Sequence, residues 1–204
     1  MTLAVLTGDL IASQGLGRDG LAAALAALAA GAADIARWEG CAGTSFGRFR
    51  GDGWQLALPC PARALRAALV LRAGLRGAGK SFATRIAIAT GPGRLPMGDI
   101  NAESGPAYVA SGRALDTLAA PATMILAGGG AAGAVVRLAD HISAGWTQAQ
   151  ARAARRALPP GRRTQSDIAD SLGISRQAAR QALIAAGVPA LASALDLIEG
   201  GGDA

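Results

Sequence analysis

Lysine is almost absent from this sequence: of twenty basic residues only Lys80 is not an arginine, a composition bias of GC-rich coding that says nothing about activity. Aromatics are scarce as well, with three Trp, three Phe and one Tyr in 204 residues. A core must therefore be assembled from alanine and aliphatic side chains, which favours closely packed helices. The two cysteines, Cys41 and Cys60, lack metal-ligand spacing and are too few for a disulfide framework, so reduced thiols and a cytoplasmic location are expected. The one histidine, His141, is expected at a junction between domains. Residues 21–38 come nearest to a membrane span, but they are alanine-rich and carry Asp34 and Arg37. They fit a core helix better than a spanning segment or a secretory signal. The glycines at 128–130, with Gly133, lack the GxxxxGK[ST] pattern and read as a turn between edge strands, not a phosphate loop.

What is present is a chain that can fold. Half of it is hydrophobic (51%), enough for a real core and against disorder as the default, and its length suits one ordinary domain plus a small one. The net charge of +6 favours polyanionic partners, weakly by itself.

Hydrophobic spacing divides the first 140 residues. An apolar run at 3–6 ends at Gly8 and Asp9 and reads as a buried strand; 21–38 has helical spacing. Alternation on both sides of Gly51-Asp52-Gly53 predicts a hairpin over 45–58. A helix over 62–75, a strand over 84–90, a helix over 109–118 and strands at 123–126 and 134–138 complete the list. This order predicts an α+β fold: a ferredoxin-like, split βαβ sheet, antiparallel, with helices on one face.

Beyond His141 the character changes. Between residues 152 and 180 there are seven arginines against Asp167 and Asp170, nearly the whole excess charge of the protein. Thr147 with Gln150, and Thr164 with Asp167, are capping boxes that open helices. The second helix should run to Leu172 with Ile168 and Leu172 inward, and Ala169 leaves room for a crossing helix. Gly173 permits a positive-φ turn, Ile174 fills the corner, and Ser175 caps a helix to about Ala186, with Ala179, Ala182 and Leu183 inside. This is the spacing of a helix-turn-helix, followed by a short helix over 189–199. Domains are thus expected at 1–140 and 145–204, the second a small all-α helix-turn-helix unit. Ser175, Arg176, Gln177, Arg180 and Gln181 fall where such a helix meets base edges of double-stranded DNA; Arg162, Arg163, Thr164 and Gln165 are placed for its backbone. The plain alternative is a helical hairpin for protein contacts, with the arginines merely solvated.

Several segments together resemble class III nucleotidyl cyclase domains: Leu6-Thr7-Gly8-Asp9-Leu10, the hairpin Phe49-Arg50-Gly51-Asp52-Gly53, residues 85–92, and Gly105 followed by residues 111–116. With the Trp-Thr helix and the Thr-Gln-Ser-Asp-Ile-Ala motif behind them, the layout over residues 3–186 is similar to the SatD-type family of small bacterial proteins. That family joins a diverged cyclase-like fold to a DNA-binding helix-turn-helix. The resemblance implies that Asp9 and Asp52, with the Leu10 carbonyl, hold Mg²⁺ or Mn²⁺ against a nucleotide triphosphate. Ser13 and Gln14 would offer amides to phosphate, while Arg48 and Arg113 stand at the base-selecting and transition-state positions.

The departures are as informative. The asparagine that cyclases place four residues before the transition-state arginine is Val109, which cannot hydrogen-bond, and the purine-selecting acid is Ala102. Loss of one such donor costs on the order of a hundredfold in rate. The sequence therefore predicts a DNA-binding regulator whose degenerate cyclase-like domain dimerises, senses a nucleotide, or both. An active cyclase or nucleotidyltransferase tethered to DNA, and a ligand-free homodimer scaffold, are the competing readings.

Overall fold

The computed structural model describes residues 1–49, 51–161 and 163–200. Strand β1 (Thr2–Leu10) leads through a short turn into helix α1 (Gly17–Ile35). The hairpin β2 (Ser45–Phe49) and β3 (Gly53–Leu58) follows, then α2 (Ala64–Ala78), β4 (Thr84–Pro92), α3 (Pro106–Thr117) and β5 (Met124–Leu126). Five helices complete the chain: α4 (Gly130–Ala144), α5 (Gln148–Ala157), α6 (Gln165–Leu172), α7 (Arg176–Ala185) and α8 (Val188–Gly200).

The protein is α+β. Its sheet has the order β2-β3-β1-β4-β5. β1 lies antiparallel between β3 and β4, with Leu6 opposite Leu56 on one side and Ile88 on the other. β5 joins β4 in parallel, so the sheet is mixed where antiparallel strands alone were expected. Strand alternation sends Ala4, Leu6, Leu56, Leu58, Ile86 and Ile88 to the main core beneath α1 and α2. The opposite parity, Leu3, Val5 and Ala57, packs against Tyr108 of α3, while Ala87 meets Ala114 and Leu115. Helices thus cover both faces, a correction to the one-face expectation. The reason is that β1 and β4 are apolar at successive positions, which leaves two faces to bury.

A second correction concerns residues 134–138, expected as a strand and found within α4. The buried residues of α4 are Gly133, Val136, Ala139, Asp140 and Ser143, two of them polar, so the short apolar run at 134–136 does not show the helical period. The turn at Gly128, Gly129 and Gly130, all at positive φ, accordingly joins a strand to a helix and not two edge strands. A third correction joins the cysteines. Cys41 and Cys60, with Cα atoms 5.3 Å apart, form a disulfide, because the β2–β3 hairpin folds the segment after α1 back beside the start of α2. That removes the argument for a reducing compartment, which rested on separate thiols. Among the described residues, Ser13–Ile35 is the one single helical stretch long and apolar enough to cross a membrane; its Leu25, Leu28 and Ile35 are buried, and α1 packs against α2.

Helix α2 is the hub. It is buried along nearly its whole length, including Arg66 and Arg72. Arg66 donates to Glu199 (2.6 Å), Asp196 (2.6 Å) and the Leu158 carbonyl (2.8 Å). Arg72 donates to Asp140 (2.8 Å), Ser143 (2.7 Å) and Thr123 (3.0 Å). Burial would push the Asp140 carboxyl up; hydrogen bonds from Thr123 and the Arg72 charge outweigh it and hold Asp140 below the usual carboxylate range. Helix α5 lies directly on α2, with Arg152 donating to the Gly77 carbonyl (3.1 Å). A Cβ on Gly74 would come to 3.1 Å from the Arg155 side chain, and one on Gly77 to 3.2 Å from that of Arg152, so α5 lays its arginine side chains over these two glycines. One apolar cluster runs from the sheet through α2 and α5 to Ala169, Ala179 and Leu183.

Candidate nucleic-acid interface

The C-terminal helices begin as their cap residues dictate. Thr147 Oγ1 accepts from the Gln150 amide (3.3 Å) and Gln150 accepts in return from the Thr147 amide (2.8 Å). At α6 the Asp167 amide donates to Thr164 Oγ1 (3.1 Å) and the Thr164 amide to the Asp167 carboxylate (2.8 Å). That amide bond, with the Thr164 hydroxyl and the Arg163 charge, keeps the exposed Asp167 carboxyl below its ordinary range. Gly173 closes α6 at φ 65°, ψ 36°, a left-handed conformation that costs a residue with a Cβ roughly 1–2 kcal/mol. Ser175 then caps α7 by accepting from the Ala178 amide (3.1 Å).

Packing follows the expected inner faces, with one adjustment. Ile168, Ala169, Ala179 and Leu183 are buried, and Leu172 and Ala182 pack against the same cluster. Ile174 is 41% exposed, so it borders the corner without filling it. Its amide donates to the Ala169 carbonyl (3.1 Å), which holds the turn instead. The Trp146 indole N–H donates to the Ala186 carbonyl (2.8 Å), tying the approach to α5 to the last turn of α7.

The outer side of this pair is open. Ser175, Arg176, Gln177, Arg180 and Gln181 are all exposed, as are Arg163, Thr164 and Gln165. Thr164, Gln165, Arg176, Gln177 and Arg180 border one shared hollow of about 480 Å³, so residues from both helices converge. Arg176 reaches Ser166 at 3.4 Å; among the described residues Gln177, Arg180 and Gln181 make no side-chain hydrogen bond or ion pair. Arg162 lies outside the described residues.

The residues expected to hold a metal and nucleotide are only partly brought together. Asp9, one residue before the end of β1, lies opposite Gly53, and the Leu10 amide donates to the Asp52 carbonyl (3.3 Å), so the three residues are neighbours as expected. Both Asp9 carboxylate oxygens, however, are taken by Arg85, its register partner on β4, which donates Nε at 2.9 Å and Nη2 to the second oxygen. Hydrogen bonding to Asp9 strengthens the Arg85 charge against the opposing pull of partial burial, and Asp116 and Asp52 add to it. In this arrangement a guanidinium occupies the carboxylate that the resemblance assigns to a metal ion. Sequence spacing carried no sign of Arg85, which pairs with Asp9 from 76 residues away.

The remaining candidates are scattered. Arg48 is spent within its hairpin, donating to the Gly51 carbonyl (2.7 Å). Ser13 and Gln14 lie in the turn before α1 without side-chain hydrogen bonds among the described residues. Arg113 is exposed on α3, one turn beyond the half-exposed Val109, and borders a hollow with the 128–130 glycines that neither Asp9 nor Asp52 lines. No model of a known protein family matches this chain, and no curated protein matches it in sequence.

Proposed function

We propose that this protein is a transcription regulator that reads double-stranded DNA with α7, held against α6 as a helix-turn-helix. The observation that carries the reading is the convergence of exposed Arg, Gln and Thr side chains from both helices on one open face of a firmly seated pair, with no acid bordering the hollow they share. Major-groove recognition needs this chemistry: Arg for guanine, Gln for adenine, and hydroxyl or guanidinium groups for the flanking phosphates.

The strand order and antiparallel pairing of β1 to β4, with α1 and α2 on a shared face, support the ferredoxin-like, cyclase-like reading of the N-terminal part. In this reading its role is to carry the DNA-binding helices and to pair two chains on a two-fold site, not to catalyse. Two features favour that restriction: the Arg85 bridge on Asp9, and a valine where a transition-state donor belongs.

Selection of bound duplexes from a random pool should enrich a palindromic sequence, and Arg176→Ala with Arg180→Ala should abolish enrichment. Equal enrichment by the double variant would defeat the proposal.

A further inference from the structure

A second basic region lies beside the α7 face and shares only Arg163 with the residues expected there. Between α1, α2 and α5 there is a cleft of about 870 Å³, within the roughly 300–1,000 Å³ range of small-molecule sites. Arg37, Arg63, Arg152, Arg155, Arg156 and Arg163 border it, against the acids Asp34 and Glu39. Asp34 is already engaged by Arg37 and Arg155. Arg63 and Arg152 are turned to the carbonyls of Glu39 (2.6 Å) and Gly77 (3.1 Å) and serve as part of the wall. Arg156 and Arg163, both exposed, make no side-chain hydrogen bond or ion pair among the described residues. The lining leaves four positive charges unmatched by acids.

The half-buried indole of Trp38 borders the same cleft. A flat aromatic beside a guanidinium cluster is what a nucleobase carrying phosphates requires, since the base stacks and the phosphates take the fork-shaped donors. One phosphate, at about −1.5 to −2, would leave much of the charge unmet; a di- or triphosphate meets it. The concave shape argues for a small molecule, because duplex DNA is entered by convex elements that fit its grooves.

We propose that this cleft binds a nucleoside di- or triphosphate, with Trp38 against the base and Arg156 and Arg163 on the phosphates. The site is separate from the strand-end carboxylates and needs no metal ion.

Intrinsic fluorescence tests it on the full chain. Trp54 and Trp146 are buried with their indole N–H groups bonded to Thr84 and Ala186, which leaves Trp38 as the responsive indole. ATP and GTP, titrated with a chelator at low salt, should change the emission saturably, whereas adenosine and guanosine should not. Arg156→Ala with Arg163→Ala should weaken binding at least tenfold at an unchanged melting temperature. Arg176→Ala with Arg180→Ala should leave it as in the wild type. Trp38→Leu should remove the optical signal while calorimetry still detects weakened binding. The proposal fails if millimolar nucleotide gives neither emission change nor heat, or if the Arg156/Arg163 variant binds like the wild type. It also fails if duplex DNA displaces the nucleotide equally from the wild type and the Arg176/Arg180 variant, which would assign the cleft to nucleic acid.

Discussion

Helices α2 and α7 both carry arginines in an alanine-rich frame, yet they do opposite things with them. In α2, Arg66 and Arg72 are enclosed and answered by Glu199, Asp196 and Asp140 from distant parts of the chain. In α7, Arg176 and Arg180 stand in solvent and, among the described residues, no acid answers either of them. Composition does not separate these cases; the acids do. A guanidinium with its counter-charge folded around it belongs to the scaffold, and one left unmatched on an open face is available to a polyanion.

The comparison breaks most visibly at Arg72. Arg72→Ala removes one of the two guanidinium partners of the buried Asp140, leaving Arg137 and Thr123, and should cost about 1.5–3 kcal/mol, lowering the melting temperature by roughly 3–12 °C in thermal denaturation. A loss within about 0.5 kcal/mol, typical of surface sites, would erase the distinction between the two helices. Arg180→Ala should do the reverse, weakening DNA binding by about 1–3 kcal/mol, some 5- to 150-fold, at unchanged stability. Binding isotherms and melting curves on the same preparation separate these effects.

Acid sharpens the contrast next. Asp140 has a folded-state pKa below its unfolded value, so its contribution is complete above the ordinary carboxylate range and is lost as pH falls through the lowered value. Chemical denaturation should therefore show stability declining below about pH 4, by at most about 1.4 kcal/mol per pH unit for this group. The slope should shrink in Asp140→Asn and stay as it is in Arg176→Ala. The smallest expected effect is at the cap of α7: Ser175→Ala should cost about 1 kcal/mol, seen as a small drop in melting temperature.

Legibility in the sequence followed the range of the interactions. The capping pairs Thr147–Gln150 and Thr164–Asp167, the Gly173 turn and the Ser175 cap act within four residues, so residue types alone announce them. Most strands and helices of the first 126 residues were readable from spacing for the same reason. Helix α4 was not, because two of its five buried residues are polar and the partners that make this tolerable, Arg72 and Thr123, are elsewhere in the chain. The Cys41–Cys60 link, the Arg85 hold on Asp9 and the placement of α3 on the second face of the sheet likewise depend on strands meeting. In the candidate site, the identity of the α7 side chains was legible; that Trp38 borders an arginine-lined cleft was not, since three separate helices build it.

The close seating of α5 on the bare backbone at Gly74 and Gly77 has a mechanical consequence. In the proposed reading, the groove-facing helices are packed through α5 onto α2 and do not search for a groove independently. On that reading the distance between the groove-facing helices of two paired chains would be set by how their sheet-bearing parts join. Lengthening an operator by a few base pairs should then abolish simultaneous engagement instead of stretching it.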